Sequence, residues 1–555
     1  MRAIPATVTR PHGPLRRRGG RSGVREAAGR VAPGLLAGLC LGLLALGPGL
    51  RRGFLLSYDM VFVPREPFGA ALPGLAPPRA VPSDLAVAAV SRIMPADVAQ
   101  KLVLLAVFVL GCAGVAALLD REPVLARLAG GVFYAWNPYV AERLIIGQWA
   151  LLLGYAGLPW VLRAVLRPGP PGRWAGWLCL SLVPAVVGGF AAMAITALVV
   201  VPAALLTRDA RRAVIALAAL AAGCLPWLIP SLVHAVQADP AGVAAFAARA
   251  DTPFGSLGSL LMLGGEWNAQ AVPRAYGGAW SVIWLAVVIF ALVGYLVLAR
   301  RDRRWPGLGI AAVAGLLIAC IGVTAAGRDL LRSVTDAWPA AAVLRDGQQF
   351  VAPLALAGAA GFGVAVSWAM RPRPSRPATG RPATGRPAGV DVTGVALGVL
   401  ALVVPVLLLP GLAWGAAGRL RPAWYPAGWL AAAHLIDASP ARGDVLVLPW
   451  ATYRTPSWNH GEAVLDPWPR LLSRPVIWND GTRVGDVTLA PDDPRARRLA
   501  AVIGGGGPLT AALRAAGVRF VLDDADGPGP SAGSRLPGAV VTVRQPGLTV
   551  YRLPG

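Results

Sequence analysis

The first residue whose type and position could do chemistry is Asp59. It follows the first long apolar run, in the loop FLLSYDMVFVPREPFG at 54–69. Apolar and aromatic surroundings disfavour a bare carboxylate, and such surroundings can raise the pKa of an acid into the range useful for a general base. A structural role is an equally open alternative, in which Asp59 caps a turn or pairs with Arg65.

Two arginines could serve the same chemistry by binding phosphate. Arg143 and Arg345 each lie beside an apolar run, and the planar guanidinium group suits phosphate oxygens. Glu142 precedes Arg143 directly, and an ion pair at the end of a membrane span is the favoured interpretation for that acid. Asn137 and Pro138 most simply end a helix.

The composition places these residues in a membrane protein. The chain has 555 residues, of which 55% are hydrophobic and 14% charged, with a mean hydropathy of +0.58. A soluble domain carries about 25% charged residues. The net charge of +24 comes from arginines clustered beside apolar runs, which is the pattern of cytoplasmic membrane loops. No basic face with interleaved aromatics appears, so we expect no nucleic-acid partner.

Apolar runs of about 20 residues can cross the hydrocarbon core of a bilayer. Eleven such candidates are found, near 31–50, 100–119, 127–146, 149–166, 174–188, 190–206, 213–233, 279–299, 307–325, 350–370 and 392–414. The fifth and sixth form one apolar run with Pro184 and Gly188-Gly189 inside it. Because both flanks of this run are rich in arginine, we predict two crossings, or a re-entrant pair, that turn near the glycines.

The arginine bias predicts the organisation of the whole chain. We expect a cytoplasmic arginine-rich tail at 1–30 and a transmembrane domain at 31–414 with large outer loops at 51–99 and 234–278. The repeated RPATG motif marks 371–391 as a disordered cytoplasmic linker. The odd number of spans places 415–555 outside the cytoplasm of a multi-pass plasma-membrane protein, with the N-terminus inside.

The residues after 415 differ in character from the spans. Short alternating segments at 444–449, 517–522 and 549–553 predict strands, and 494–516 predicts helical pieces broken by four glycines. The fold class is therefore an α-helical polytopic membrane protein with about 11 transmembrane helices and a small extracytoplasmic α/β domain. Aromatic residues crowd the start of this domain, where core packing is favoured over sugar stacking: Trp424, Tyr425, Trp429, Trp450, Tyr453, Trp458, Trp468 and Trp478.

Three features together resemble a known superfamily. They are one span followed by an outer loop with Asp59, the segment FYAWNPYVAERLIIGQW at 133–149, and the segment LRDGQQF at 344–350. This plan is similar to the polytopic lipid-phosphosugar-dependent glycosyltransferases of the GT-C superfamily, and most of all to the actinobacterial arabinofuranosyltransferase-like group. The present chain has one acid at the head of the loop, where many relatives have two.

The resemblance implies transfer of a sugar, arabinofuranose or mannose, from a polyprenyl-phosphate donor to a cell-envelope glycan or lipid acceptor. It implies Asp59 as the catalytic base and assigns substrate binding to five other residues: Arg65, Glu66, Arg143, Arg345 and Gln349. The sequence offers no metal-ligand spacing, and we expect no cofactor, with a divalent cation as the open alternative.

Two other classes of protein remain as alternatives. A transporter or flippase of lipid-linked glycans usually carries ionisable residues in mid-span or broken helices in matched halves, and neither is found in the sequence. A non-catalytic envelope assembly protein could use the same scaffold.

Overall fold

The computed structural model describes residues 20–71, 80–233, 239–371, 392–524 and 532–554. The described part is mostly helical, with a sheet-containing C-terminal region. Seven helices are long and apolar enough to cross a membrane, or up to nine if each of two bent pairs counts as one span. The chain is therefore a polytopic membrane protein, whereas the number eleven stays a prediction. The tail at 1–19 and the linker at 372–391 lie outside the described residues.

The N-terminal part of the chain is a bundle of long helices joined by short ones. Its helices are α1 Gly20–Leu46, α2 Val81–Val90, α3 Ala96–Leu118, α4 Val124–Ala135, α5 Pro138–Ile145, α6 Trp149–Leu166, α7 Pro171–Leu206, α8 Ala210–Val233, α9 Gly242–Ala245, α10 Gly255–Leu261, α11 Trp280–Arg301, α12 Pro306–Ile321, α13 Ala325–Ala337, α14 Ala352–Ala369, α15 Val392–Leu408 and α16 Ala413–Gly418. The helix α14 lies at the centre, because the whole of its apolar window is buried.

The longest helix, α7, folds back on itself. Its backbone leaves the helical conformation at Gly189, with φ 77° and ψ −152°. Before this break Pro184 packs against Gly157 of α6, at the break Gly188 meets Ala150, and after it the chain returns along α6. Both ends of α7 therefore lie at the same end of the bundle, where the Arg212 guanidinium stacks 5.5 Å from the Trp174 ring.

The connecting segments sort to two opposite ends of the bundle. We call the end formed by 47–71, 80–95, 136–148, 239–279 and 322–350 the loop face; there the Asp59 nitrogen donates to the Ile146 carbonyl at 3.1 Å. We call the end formed by 119–123, 167–170, 207–209, 302–305 and 370–371 the arginine face; there Arg121 lies 3.8 Å from Asp302. Asp59 and the arginine-rich connections thus lie at opposite ends of the helices.

The C-terminal part is an α/β domain on the loop face. Its strands β3 Asp444–Leu448, β6 Val476–Ile477, β9 Val518–Asp524, β10 Val540–Gln545 and β11 Leu548–Arg552 form one sheet in the order β10-β11-β9-β3-β6. The β3 strand is parallel to β6 and β9, whereas β11 is antiparallel to its neighbours. The helices are α17 Ala427–Ala438, α18 Trp468–Leu471, α19 Pro494–Gly504 and α20 Thr510–Ala515.

Short strands join this domain to the segment 51–71 that carries Asp59, which we call the first outer loop after its predicted location. The pair β1 Phe54–Leu55 and β2 Pro422–Ala423 is antiparallel, and β4 Tyr453–Arg454 pairs with β5 Val464–Leu465 beside that loop. A further hairpin is formed by β7 Arg483–Val484 and β8 Val487–Thr488. One continuous apolar core runs from the helix bundle through Phe62 to Trp468 and Leu522 of the domain. The first outer loop is therefore held between the bundle and the domain.

The turn in α7 gives a test of this architecture. We expect Gly189→Ala to lower the free energy of unfolding by about 1–3 kcal/mol, because the backbone conformation at Gly189 is nearly restricted to glycine. The matched control is Gly176→Ala in the same helix, where a Cβ meets no atom within 4 Å. Unfolding of the purified chain in mixed micelles measures both variants, and equal stability of the two would contradict a fold-back at Gly189.

Candidate active site

A glycine allows the first outer loop to reach its position. Gly147 follows α5 with φ 84°, and a Cβ there would overlap the backbone of Ser57 and Met60. The Ser57 hydroxyl donates to the Ile145 carbonyl at 2.6 Å. Backbone contacts from the segment 145–147 thus fix Asp59 against the end of α5.

The C-terminal domain holds the other side of the same loop. The Tyr453 hydroxyl donates to Oδ1 of Asp59 at 2.7 Å. The Tyr58 nitrogen donates to the Ala463 carbonyl at 2.7 Å, and the Leu465 nitrogen donates to the Tyr58 carbonyl at 2.8 Å. Asp59 is only half-buried, although Tyr58 and Met60 beside it are buried. Its carboxylate is therefore oriented by a residue almost four hundred positions away.

A buried ion pair lies next to this loop. Arg143 of α5 and Glu266 of the loop before α11 form a salt bridge, and their side chains are 1% and 0% exposed. The Arg143 guanidinium also stacks 4.7 Å from the Tyr139 ring, and Gln348 Nε2 lies 3.5 Å from Glu266 Oε1. The predicted pairing of Arg143 with Glu142 is not what the structure shows, because Glu142 Oε1 is buried without a hydrogen-bond partner among the described residues.

More carboxyl groups surround Arg143 than one guanidinium can neutralise. Burial raises the pKa of Glu266 to about 7, against the opposing effect of Arg143. Burial also raises the pKa of Asp251 to about 6, although the backbone nitrogens of Gly265 and Glu266 donate to its Oδ2 atom. The Asp346 pKa is raised too, first by burial. The cluster therefore favours cationic partners or bound protons.

Asp346 connects this cluster electrostatically to Asp59 and Arg345, the proposed base and phosphate-binding residue. Its charge interacts with the carboxylate of Asp59 and with the guanidinium groups of Arg143 and Arg345. Arg345 itself lies with its guanidinium 4.8 Å from the Phe246 ring. Asp59 and Arg345 are thus brought to the surroundings of one carboxyl group, although the sequence separates them by most of the bundle.

Glu66 lies in a second buried acid cluster. Its side chain is 1% exposed and 4.0 Å from Arg470 Nε of α18, and Arg470 also lies 3.4 Å from Asp84 of α2. Burial and then the charge of Asp84 raise the pKa of Glu66 to about 9, and Arg470 opposes them only in part. The charge of Asp59 also interacts with Arg470, so the clusters around Arg143 and around Glu66 are electrostatically connected through Asp59.

The other predicted binding residues occupy different positions. Gln349 is buried. Its side-chain Nε2 donates to the Val343 backbone carbonyl at 3.1 Å, and its backbone carbonyl accepts from the Tyr139 hydroxyl at 2.9 Å. Its side chain thus holds the loop that carries Arg345. Arg65 is exposed on the first outer loop.

Several residues at this site were not predicted from the sequence to be site residues, and what they share is that no periodic pattern marks them. They are Asp84, Gln148, Asp251, Glu266, Asp346, Gln348, Tyr453 and Arg470. The one available signal was proximity in sequence: Gln148, Asp346 and Gln348 lie inside the two segments quoted for the family resemblance.

Acidic, histidine and cysteine side chains are the groups that could hold a metal ion. In the five described stretches of the chain, no three of these side chains come together as ligands of one ion would. The cationic side chains of the two clusters are Arg143, Arg345 and Arg470.

The burial of the Arg143–Glu266 pair predicts that removing Arg143 destabilises the protein more than removing an arginine from an exposed ion pair. We expect Arg143→Met to lower the free energy of unfolding by about 3–5 kcal/mol, because the buried Glu266 loses the guanidinium that pairs with it. The control is Arg332→Met, whose partner Asp329 lies at 2.7 Å but is 70% exposed, and we expect less than about 1 kcal/mol there. Denaturation in mixed micelles measures both. Equal losses would contradict a buried, structural pair at Arg143.

The raised pKa of Glu66 predicts a dependence of stability on pH. Between the ordinary pKa near 4.5 and the folded-state value near 9, the folded protein keeps a proton that the unfolded chain releases. Stability therefore falls as pH rises through this window, by at most about 1.4 kcal/mol per pH unit. We expect Glu66→Gln to flatten the fall of Tm between pH 5 and 9, whereas the exposed Asp329→Asn control keeps it. An unchanged slope in Glu66→Gln would show that Glu66 is ionised when folded.

Comparisons with known proteins recover one fold. No protein-family model matches the sequence, and no curated protein matches it. The arabinofuranosyltransferase AftD from Mycobacteria, solved by cryo-electron microscopy, aligns with a TM-score of 0.57 and 18% identity over 95% of this chain and 40% of that chain. A second structure of that enzyme, a mutant, gives 0.59 and 18% over 95% and 42%.

The archaeal oligosaccharyltransferase AglB from Archaeoglobus fulgidus aligns with a TM-score of 0.37 and 12% identity over 89% of this chain and 65% of that chain. The present chain spans about two-fifths of the length of the mycobacterial enzyme. Over most of its length the chain therefore has the fold of the mycobacterial arabinofuranosyltransferase structures, which is a GT-C-like fold.

Proposed function

We propose that this protein transfers a sugar from a polyprenyl-phosphate donor to a glycan or lipid acceptor of the cell envelope. The observation that carries the proposal is the position of Asp59 on the loop face, where Tyr453 orients its carboxylate. The charge of Arg470 acts on Asp59 directly, and Asp346 interacts with Asp59 as well as with Arg143 and Arg345. A lipid-phosphate donor presents its head group at this level while its tail stays in hydrocarbon. The sugar proposed is arabinofuranose or mannose.

The transfer itself needs a base and a cation. In this proposal Asp59 accepts the proton of the acceptor hydroxyl as that oxygen forms its bond to the anomeric carbon of the donor sugar. The bond from the anomeric carbon to the phosphate oxygen breaks, and the polyprenyl phosphate departs with the electron pair. Arg345 binds the departing phosphate, because the guanidinium fork matches its oxygens.

The remaining predicted residues support these two in the proposal. Arg143 is fully buried in its salt bridge with Glu266, so its proposed role is to position the segment beneath Asp59. Gln349 holds the Arg345 loop, and Glu66 with Arg470 fixes the far side of the first outer loop. Arg65, which is exposed, is proposed to contact the acceptor.

The orientation in the membrane is part of the proposal. The arginine face is placed in the cytoplasm of the plasma membrane with the N-terminus, and the loop face with the C-terminal domain is placed outside. Positive charge on one set of loops supports this orientation. A donor and an acceptor would then meet on the outer surface.

The test is transfer of radiolabelled sugar by the full chain in proteoliposomes that contain the polyprenyl-phosphate donor. We expect Asp59→Asn to lower the rate by about a hundredfold to ten-thousandfold with donor binding retained, since general-base catalysis has that magnitude. Asp486→Asn, on the exposed turn between β7 and β8, is the matched control and keeps the wild-type rate.

Two results would reject this function. Unchanged transfer in Asp59→Asn would remove the base from the mechanism. Absence of transfer by the wild type, with the envelope glycan still dependent on the gene, would favour a non-catalytic assembly protein, and movement of the labelled lipid across the bilayer would favour a flippase.

A further inference from the structure

A large groove opens on the arginine face, at the opposite end of the bundle from Asp59. Its volume is about 1000 Å³, and it lies between the ends of α3, α6, α11 and α14. A second cavity of about 320 Å³ adjoins it and shares Arg121, Glu122 and Arg371 with it. The mechanism proposed above uses no residue of this groove.

The mouth of the groove carries more positive than negative charge. Three acids line it, Asp120, Glu122 and Asp302, against six arginines: Arg121, Arg163, Arg167, Arg301, Arg304 and Arg371. Asp302 is already paired, with Arg304 Nε at 2.9 Å and Arg121 at 3.8 Å. Within the ranges that the structure describes, no carboxylate forms an ion pair with Arg167, Arg301 or Arg371. The groove is therefore suited to an anion.

The walls of the groove are apolar and partly exposed. Phe290 and Val293 of α11 are 38% and 54% exposed, and Trp368 at the end of α14 is 65% exposed. Tryptophan at the end of a membrane span marks the level of the lipid head groups. A small soluble anion would satisfy the arginines but would leave these apolar walls uncovered.

One class of ligand matches both parts of the groove. We propose that it binds an anionic phospholipid, with the phosphate at Arg167, Arg301 and Arg371 and the acyl chains along α11 and α14. A guanidinium group can bind a phosphate through two parallel hydrogen bonds, and basic pockets between membrane helices recognise anionic head groups. The occupied groove joins the ends of four helices, so the lipid stabilises the bundle from the side opposite the active site.

The test titrates the purified full chain in detergent with phosphatidylglycerol in mixed micelles and follows Tm by tryptophan fluorescence. We expect a saturable rise in Tm, and phosphatidylcholine with the same chains should give a rise at least about tenfold weaker in midpoint concentration. Glycerol 3-phosphate, which has the anion without the chains, should give no saturable rise.

Arginine substitutions test whether phosphatidylglycerol acts at the groove. Arg167→Gln combined with Arg301→Gln should weaken the phosphatidylglycerol midpoint about tenfold or more, whereas Arg173→Gln combined with Arg211→Gln removes equal charge near the same face and should change it less than about twofold. The exposed Arg371→Gln alone, which leaves folding contacts intact, should weaken it as well.

Three outcomes overturn the proposal. Equal weakening in the groove and control pairs would show general attraction to a basic surface. An equal response to phosphatidylcholine would show that the negative charge is not recognised, and saturable stabilisation by glycerol 3-phosphate would show a site for a soluble phosphate instead of a lipid.

Discussion

The buried ion pair between Arg143 and Glu266 is the contact on which the rest of the site depends. It ties α5, at the end of the third apolar run, to the long loop before α11. The segment 145–147 follows α5 directly and carries the first outer loop on its backbone, so the pair fixes Asp59 through three residues of chain. A buried charge pair is costly to form but far more costly to break, which makes it a rigid point of the structure.

The C-terminal domain completes the site instead of merely covering it. Tyr453 orients the Asp59 carboxylate, and Arg470 neutralises part of the Glu66 and Asp84 pair at the other end of the same loop. The apolar core continues from the bundle into the domain without a break. The loop that carries Asp59 is thus held on both sides, which is what the proposed positioning of a base requires.

The sequence predicts the features that follow from length and periodicity. Apolar runs locate the long helices, and arginines on both flanks of 177–206 indicate the fold-back that the structure places at Gly189. The strands at 444–449, 517–522 and 549–553 agree with β3, β9 and β11 within a few residues. The spacing of apolar residues along the chain determines these helices and strands, so they can be predicted from one sequence.

The partners within the site could not be predicted in this way. Glu142 and Arg143 are neighbours in sequence, but successive residues of a helix point in different directions, and Arg143 instead meets Glu266 more than a hundred positions away. Tyr453 was indistinguishable from seven other aromatic residues of its segment. Such contacts depend on how loops pack in three dimensions, and one sequence carries no periodic signal for that.

In the proposed function, Asp59 and Arg345 meet one lipid-phosphate head group on the loop face. A structure of the full chain in nanodiscs with a non-transferable polyprenyl-phosphonate sugar tests it most directly. We predict the phosphonate beside Arg345, at about the 3 Å of a charge-assisted hydrogen bond, with the sugar turned toward the Asp59 carboxylate. A head group bound elsewhere, or with its sugar facing away from Asp59, would contradict the account.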